Sequence, residues 1–185
     1  MMAFLSEEYQ LLLVTEQHIQ TLHNWSIKEN NFESYTCRPL KSAQSFEEYA
    51  CKTLKAISEK QERIYILVKK GDNNLPLGKI TLFDLNPRNH SAEFGYYLPE
   101  NNRALGLGNI MLDKFIETSF KDEDLNLNKI YATTSSNNLP SIKLLEKYGF
   151  KLDGRLREHY WINENKYDQL IYSMLKNEWT NSEGT

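Results

Sequence analysis

Arg103-Ala104-Leu105-Gly106-Leu107-Gly108 is the stretch on which the reading of this chain turns. It lies between a strand-like run, Ala92-Glu93-Phe94-Gly95-Tyr96-Tyr97-Leu98, closed by Pro99, and an apolar-periodic segment from Gly106 to Phe120 that predicts a helix. A strand–loop–helix unit of this kind aims several backbone N–H groups at one place, at the positive end of the helix dipole. Gly106 and Gly108 present no side chain to an approaching phosphate. The loop therefore suits a pyrophosphate. It is not a Walker A loop, because no Lys-Ser or Lys-Thr follows the glycines, and a phosphate-loop nucleotide enzyme is disfavoured. The first glycine of Gly-x-Gly-x-x-Gly is also missing, which argues against a dinucleotide fold. Taken alone, the same residues read equally as a turn and a helix cap.

A second motif weighs against the turn-and-cap reading. Asn138-Leu139-Pro140-Ser141-Ile142-Lys143-Leu144-Leu145-Glu146-Lys147-Tyr148-Gly149-Phe150 predicts a short helix, with Asn138 at its start, Pro140 in its first turn and Gly149 just past its end. Ile142, Leu144, Leu145 and Tyr148 recur at helical spacing and give it one buried side. In this order, Arg-x-x-Gly-x-Gly and Asn-x-x-Ser-Ile-x-Leu-Leu-Glu-Lys-x-Gly-Phe resemble the GNAT superfamily of acetyl-CoA-dependent N-acetyltransferases. The stretch Gly154-Arg155-Leu156-Arg157-Glu158-His159-Tyr160-Trp161, with Tyr167-Asp168 and Tyr172-Ser173, is similar to the branch containing the ribosomal-protein N-acetyltransferases. The resemblance runs from Leu11 to Trp179, nearly the whole chain.

The 185 residues predict a single domain with a core of its own, and 40% hydrophobic and 25% charged residues are ordinary for a globular chain. The expected layout is an N-terminal segment over 1–9, an acetyltransferase domain over 10–179 and a flexible polar tail over 180–185. A net charge of −3 argues against a nucleic-acid partner, which needs a basic footprint. No apolar run approaches the ~20 residues of a membrane helix, and no basic segment leads into one at the start, so no membrane partner is expected and the cytoplasm is the default location. Cys37 and Cys51 match no metal or disulfide spacing, and His18 and His23 do not share an i, i+4 helix face, so no metal is expected.

Along the chain, strands are predicted at 10–14, 63–69, 77–85, 92–98 and 129–135, and a final antiparallel pair at 150–159 and 166–175 around Asn163-Glu164-Asn165. Helices are predicted at 16–27, after Thr15 as a cap, at 45–59, and over the two motif segments. The segment 30–42 reads as a loop. The order β-α-α-β-β-β-α-β-α-β-β fits a sheet of mixed direction. The resemblance implies the same α/β class: a single-domain GNAT-like fold, with helices flanking a strongly twisted mixed sheet and acetyl-CoA wedged where two neighbouring strands splay apart.

The resemblance also implies site residues. Leu105, Gly106, Leu107, Gly108 and Asn109 would grip the cofactor through backbone N–H groups, with Arg103 adding positive charge. The backbone N–H of Tyr96 would hold the acetyl oxygen, an interaction of ~2.7–4 kcal/mol in such sites. Leu98 would pair with the pantetheine arm. Asn138 would contact that arm or cap its helix. The tyrosine that many GNAT enzymes place near the sulfur falls at Leu144, which has no proton to give. The ribosomal-protein branch points instead to Ser141, which would otherwise serve its own helix turn. An amine of pKa about 10 must lose a proton before it attacks. The branch's glutamate position falls at Tyr160, leaving Glu158, His159 and Glu93 as alternatives; strand alternation would put Glu158 on the face of Tyr160 and His159 on the other.

The acceptor is then a small-molecule or peptide amine: a protein N-terminus, a polyamine, an amino sugar or an antibiotic. A homodimer is a compatible assembly. The acidic residues Glu7, Glu8, Glu29, Glu33, Glu47 and Glu48 suit a cationic acceptor or simply a solvated surface. The reading from a different class is a non-catalytic acyl-CoA-binding regulator on the same scaffold, which the missing tyrosine keeps open.

Overall fold

Two strands, β4 (Ser91–Tyr97) and β5 (Lys129–Ser135), organise the molecule by pairing and then parting. They run parallel and are hydrogen-bonded only over Ser91↔Lys129, Ala92↔Ile130 and Glu93↔Tyr131. The structure, a computed structural model, describes residues 7–28 and 45–182. The remaining strands are β1 (Tyr9–Leu13), β2 (Arg63–Lys69), β3 (Gly78–Asn86), β6 (Lys151–Ile162) and β7 (Asn165–Leu175). They form one seven-stranded sheet in the order β1-β2-β3-β4-β5-β7-β6. Each neighbouring pair other than β4–β5 is antiparallel. The helices are α1 (Glu16–Lys28), α2 (Phe46–Ser58), α3 (Leu107–Lys121), α4 (Leu139–Lys147) and α5 (Lys176–Ser182). The α/β mixed-sheet expectation is met.

Period-two alternation divides the sheet into two faces. Tyr65, Leu67, Ile80, Leu82, Ala92, Phe94, Ile130, Leu170, Tyr172 and Met174 belong to one cluster with Met111, Leu112, Phe115, Ile116 and Phe120 of α3 and Leu145 of α4. The other face of β2 buries Ile66 and Val68 against Leu22 of α1, with Trp25 and Tyr49 at the margin. The helices begin where their caps dictate. Ser45 accepts from the Glu48 N–H at 3.2 Å to start α2, and the buried His18 ring bonds the Thr15 N–H at 3.1 Å to start α1. His18 Nε2 also lies 3.0 Å from the Asn73 carbonyl, which ties α1 to the β2–β3 turn.

Three expectations change. Helix α5 runs through Ser182, so 180–182 belong to it and not to the tail. Its start is held by Glu178, which accepts from the Leu175 N–H at 2.9 Å, and Trp179 stacks on Phe120 at 5.6 Å. The β6–β7 hairpin extends to Ile162 and Asn165, because Asn163 and Glu164 both take positive φ (48° and 63°) and close a tight turn. The short turn Glu100–Asn102 forms a 3₁₀ helix between β4 and the glycine loop. The predicted loop at 30–42, with Cys37, Glu29 and Glu33, lies outside the described residues. Among the described residues no helix is long and apolar enough to cross a membrane, and no group of three His, Cys, Asp or Glu side chains is placed to hold a metal.

Phe115 is fully buried, with its ring centroid 5.0 Å from Phe94 and 6.2 Å from Tyr65. Phe115→Ala should therefore cost ~3–5 kcal/mol in urea denaturation. A cost below ~1 kcal/mol would mean that α3 does not anchor this face.

Candidate active site

The site begins where β4 and β5 separate. Past Glu93, β4 stays registered to β3 (Ile80↔Tyr96, Lys79↔Tyr97), and β5 stays registered to β7 (Ser135↔Gln169). Between them opens a gap bounded on one side by Tyr96 and Leu98. The chain leaving β4 is braced by two side-chain-to-backbone bonds. Asn102 Nδ2 donates to the Leu77 carbonyl at 2.7 Å, and Arg103 Nε donates to the Leu98 carbonyl at 2.9 Å. Sequence reading offered Arg103 to the cofactor as positive charge; here its Nε also fixes the end of the strand.

Two left-handed residues, Ala104 (φ 59°) and Gly106 (φ 80°), then turn the chain into α3. Gly106 is the cap residue and has no side chain to offer the first-turn N–H groups; that of Asn109 bonds the Gly106 carbonyl at 3.0 Å, and those of Leu107 and Gly108 have no side-chain cap. Leu105 points outward (66% exposed), and Leu107 turns into the core. A Cβ on Gly108 would stand 3.4 Å from Leu98 Cδ1 and 3.6 Å from Leu144 Cδ2. The end of β4, the start of α3 and the middle of α4 thus meet at Gly108, beside Leu144, the residue that sequence reading matched to the family's tyrosine position.

Helix α4 supplies the hydroxyl. Asn138 accepts from the Ser141 N–H at 3.3 Å and so caps the helix. Ser141 Oγ lies 2.7 Å from Tyr96 Oη. Burial pushes the Tyr96 phenol up to about 12, against an opposing effect of the Ser141 bond. Tyr148, assigned to the core by its spacing, is half-buried and donates to the Asn109 carbonyl at 2.8 Å. Its phenol is likewise raised to about 12, first by burial and then by the charge of Asp113. Lys147 Nζ donates to Asn109 Oδ1, so α4 grips the start of α3 at both groups of Asn109.

The base candidates separate. Strand β6 is irregular between Leu156 and Tyr160, where Arg157, Glu158 and His159 stand opposite Asp168 alone. Glu158 takes φ 50°, and its N–H donates to Asp168 Oδ1 at 2.8 Å. This bulge ends the alternation: Glu158 is exposed and paired with Lys166 at 2.8 Å, whereas Tyr160 is buried. The shared face expected for Glu158 and Tyr160 is therefore not formed. Glu93, by contrast, is the last β4 residue paired to β5, and its Oε1 accepts from Thr133 Oγ1 at 2.8 Å. Sequence reading missed the Tyr96 side chain as a partner of Ser141. Sequence reading used only the backbone N–H of Tyr96, and the side-chain contact lies across separate elements.

A parallel pair that splays beside an uncapped helix start is the architecture of an acyl-CoA-dependent transferase. The chain belongs to the GNAT acetyltransferase family: the model of the acetyltransferase (GNAT) domain matches residues 10–151. It is an acetyl-CoA-dependent N-acetyltransferase. It is similar to the uncharacterized N-acetyltransferase p20 of Bacillus licheniformis, 32% identical over 124 residues and 67% of each chain. The putative ribosomal N-acetyltransferase YdaF of Bacillus subtilis is 31% identical over 102 residues, 55% of each chain. The spermidine N-acetyltransferase of Vibrio cholerae, solved with CoA and spermine, shares the fold at a TM-score of 0.84 and 24% identity, over 95% of this chain and 99% of that one.

The two loop glycines should respond with opposite signs. Gly106→Ala forces a side chain into the left-handed region and should destabilise by ~1–2 kcal/mol. Gly108→Ala adds a better helix former in ordinary contact and should be neutral or gain up to ~1 kcal/mol. Chemical denaturation of both variants checks this; equal losses would refute the different backbone roles.

Proposed function

We propose that this acetyltransferase receives the pantetheine arm of acetyl-CoA between the parted strands and its pyrophosphate on the loop 105–109, and passes the acetyl group to a primary amine. One observation carries the reading: β4 and β5 stop pairing after Glu93↔Tyr131, directly beside a helix start whose cap residue has no side chain. An exposed strand edge can bond the amides of the arm much as a further strand would, and the Tyr96 N–H is our donor to the acetyl oxygen. Leu98 lines the arm, and Arg103 and Asn138 complete the grip. Ser141 protonates the departing sulfur directly or through a water. Glu93 at the fork and Glu158 at the bulge are the carboxylates from which a base is drawn, and Tyr160 lines the acceptor side.

The acceptor we propose is a small or peptide amine, with protein N-termini, polyamines, amino sugars and antibiotics as the classes to separate. A related spermidine N(1)-acetyltransferase from Vibrio cholerae, 28% identical over 125 residues, favours including polyamines in any panel. A homodimer in the cytoplasm is the setting we assign; the Vibrio cholerae spermidine enzyme has a dodecameric form. The non-catalytic alternative is disfavoured, because the Tyr96 hydroxyl meets that of Ser141 on α4, one helical turn before Leu144.

Acetyl-CoA at ~100 times its Kd should stabilise the fold by ~2.7 kcal/mol, whereas NAD and ATP should leave the melting temperature unchanged. Thiol release in the presence of an amine panel then identifies the acceptor. Absence of any shift with acetyl-CoA well above micromolar concentration would overturn the assigned binding site.

A further inference from the structure

We propose that Tyr96 is a positioning residue for proton delivery: its hydroxyl donates to Ser141 Oγ and leaves the Ser141 proton directed at the sulfur of the departing thiol. This rests on the acetyl-transfer reading above. The two oxygens are 2.7 Å apart across elements far separated in sequence, one on β4 and one on α4. A serine hydroxyl has one proton and two acceptor sites. If Ser141 gave its proton to Tyr96, none would face the cofactor. The direction of the bond is decided by acidity and burial. A phenol is the stronger donor and the poorer acceptor of the two, and this one stays protonated, because burial raises it to about 12. Among the described residues Ser141 is the only hydrogen-bond partner of the Tyr96 hydroxyl, and a buried phenol requires one. The ring is itself held by Phe94, stacked at 6.3 Å.

The serine is aimed at the right place. Ser141 and Leu144 share a face of α4 at i, i+3 spacing, and Leu144 lies against Gly108 at the mouth of the gap. Its backbone N–H is held by Asn138 Oδ1 at 3.3 Å, so both the main chain and the hydroxyl oxygen of Ser141 are fixed.

Net donation from serine to a thiolate would run uphill, since an aliphatic hydroxyl is a far weaker acid than a thiol of pKa ~8.5. The step therefore balances as a relay. As the C–S bond breaks, its electron pair goes to sulfur. The Oγ proton moves to that sulfur, and the proton on the attacking nitrogen of the tetrahedral intermediate moves to Oγ. Serine ends as it began, Tyr96 keeps its proton throughout, and the products are the acetylated amine and the free thiol.

The test is a double-mutant cycle on the full chain with Tyr96→Phe, Ser141→Ala and both together. It reads thiol release with the best amine of the panel, or acetyl-CoA hydrolysis if none turns over. Ser141→Ala should lower kcat by at least ~10-fold, and Tyr96→Phe by ~10-fold with the KM for acetyl-CoA within ~2-fold. The double variant should be no slower than Ser141→Ala alone, since Tyr96 acts only through Ser141. Ser141→Thr, which keeps the hydroxyl, should recover most of the turnover and remain sensitive to Tyr96→Phe. Multiplying losses, or full kcat in Tyr96→Phe, would overturn the proposal. So would full kcat in Ser141→Ala, but acetyl transfer by the unaltered chain would then still support the underlying reading.

Discussion

The parting of β4 from β5 after Glu93 is the constraint on which the rest of the molecule depends. Two parallel strands that stop bonding leave main-chain groups along both edges, and buried main-chain groups need partners. Each strand keeps its outer neighbour, β3 for one and β7 for the other, so neither can shift to close the gap. Leu98, Leu144 and the hydroxyl pair Tyr96–Ser141 stand around the opening. A ligand with its own amides can supply what the absent strand pairing does not.

The helices that flank the gap are fixed to one another through few atoms. Asn109 accepts from Lys147 on its side chain and from Tyr148 on its carbonyl, which locks the start of α3 to the end of α4. Arg103 closes the other side by bonding Leu98. Such bonds are each modest in net stability, about 1 kcal/mol, but together they fix the connection between β4 and α3. Preorganisation of this kind matters more to a transferase than the stability it adds, because donors already in place cost no rearrangement during the reaction.

The β6–β7 hairpin is the least regular part of the sheet, with two register shifts along its length. The bulge at Glu158 turns one carboxylate out to Lys166 while Tyr160 stays buried. Asp168 joins that bulge to the β5–α4 connection, since its carboxylate accepts from the Glu158 N–H and its N–H donates to Ser136 Oγ at 3.1 Å. The irregular pairing stays within the β6–β7 hairpin and leaves undisturbed the β5–β7 ladder, which runs unbroken from Lys129 to Ser135.

Most of the fold was legible in local pattern. The glycines after Arg103, the asparagine–proline–glycine punctuation of α4 and the alternating strands depend on neighbours a few residues away, and such signals survive in a bare sequence. Sequence by itself therefore determined the element order, the phosphate-suited loop and the position of Ser141 on a helix start. It did not show the C-terminal helix, whose docking depends on Trp179 finding Phe120 across the molecule. It misjudged Glu158, because a bulge is set by pairing with a distant strand and resets every side-chain direction beyond it. Tertiary structure alone decided that Tyr96 meets Ser141 and that Tyr148 bonds the Asn109 carbonyl. Each is a contact between separate elements, and only the packing of one element on another brings the atoms within hydrogen-bonding distance.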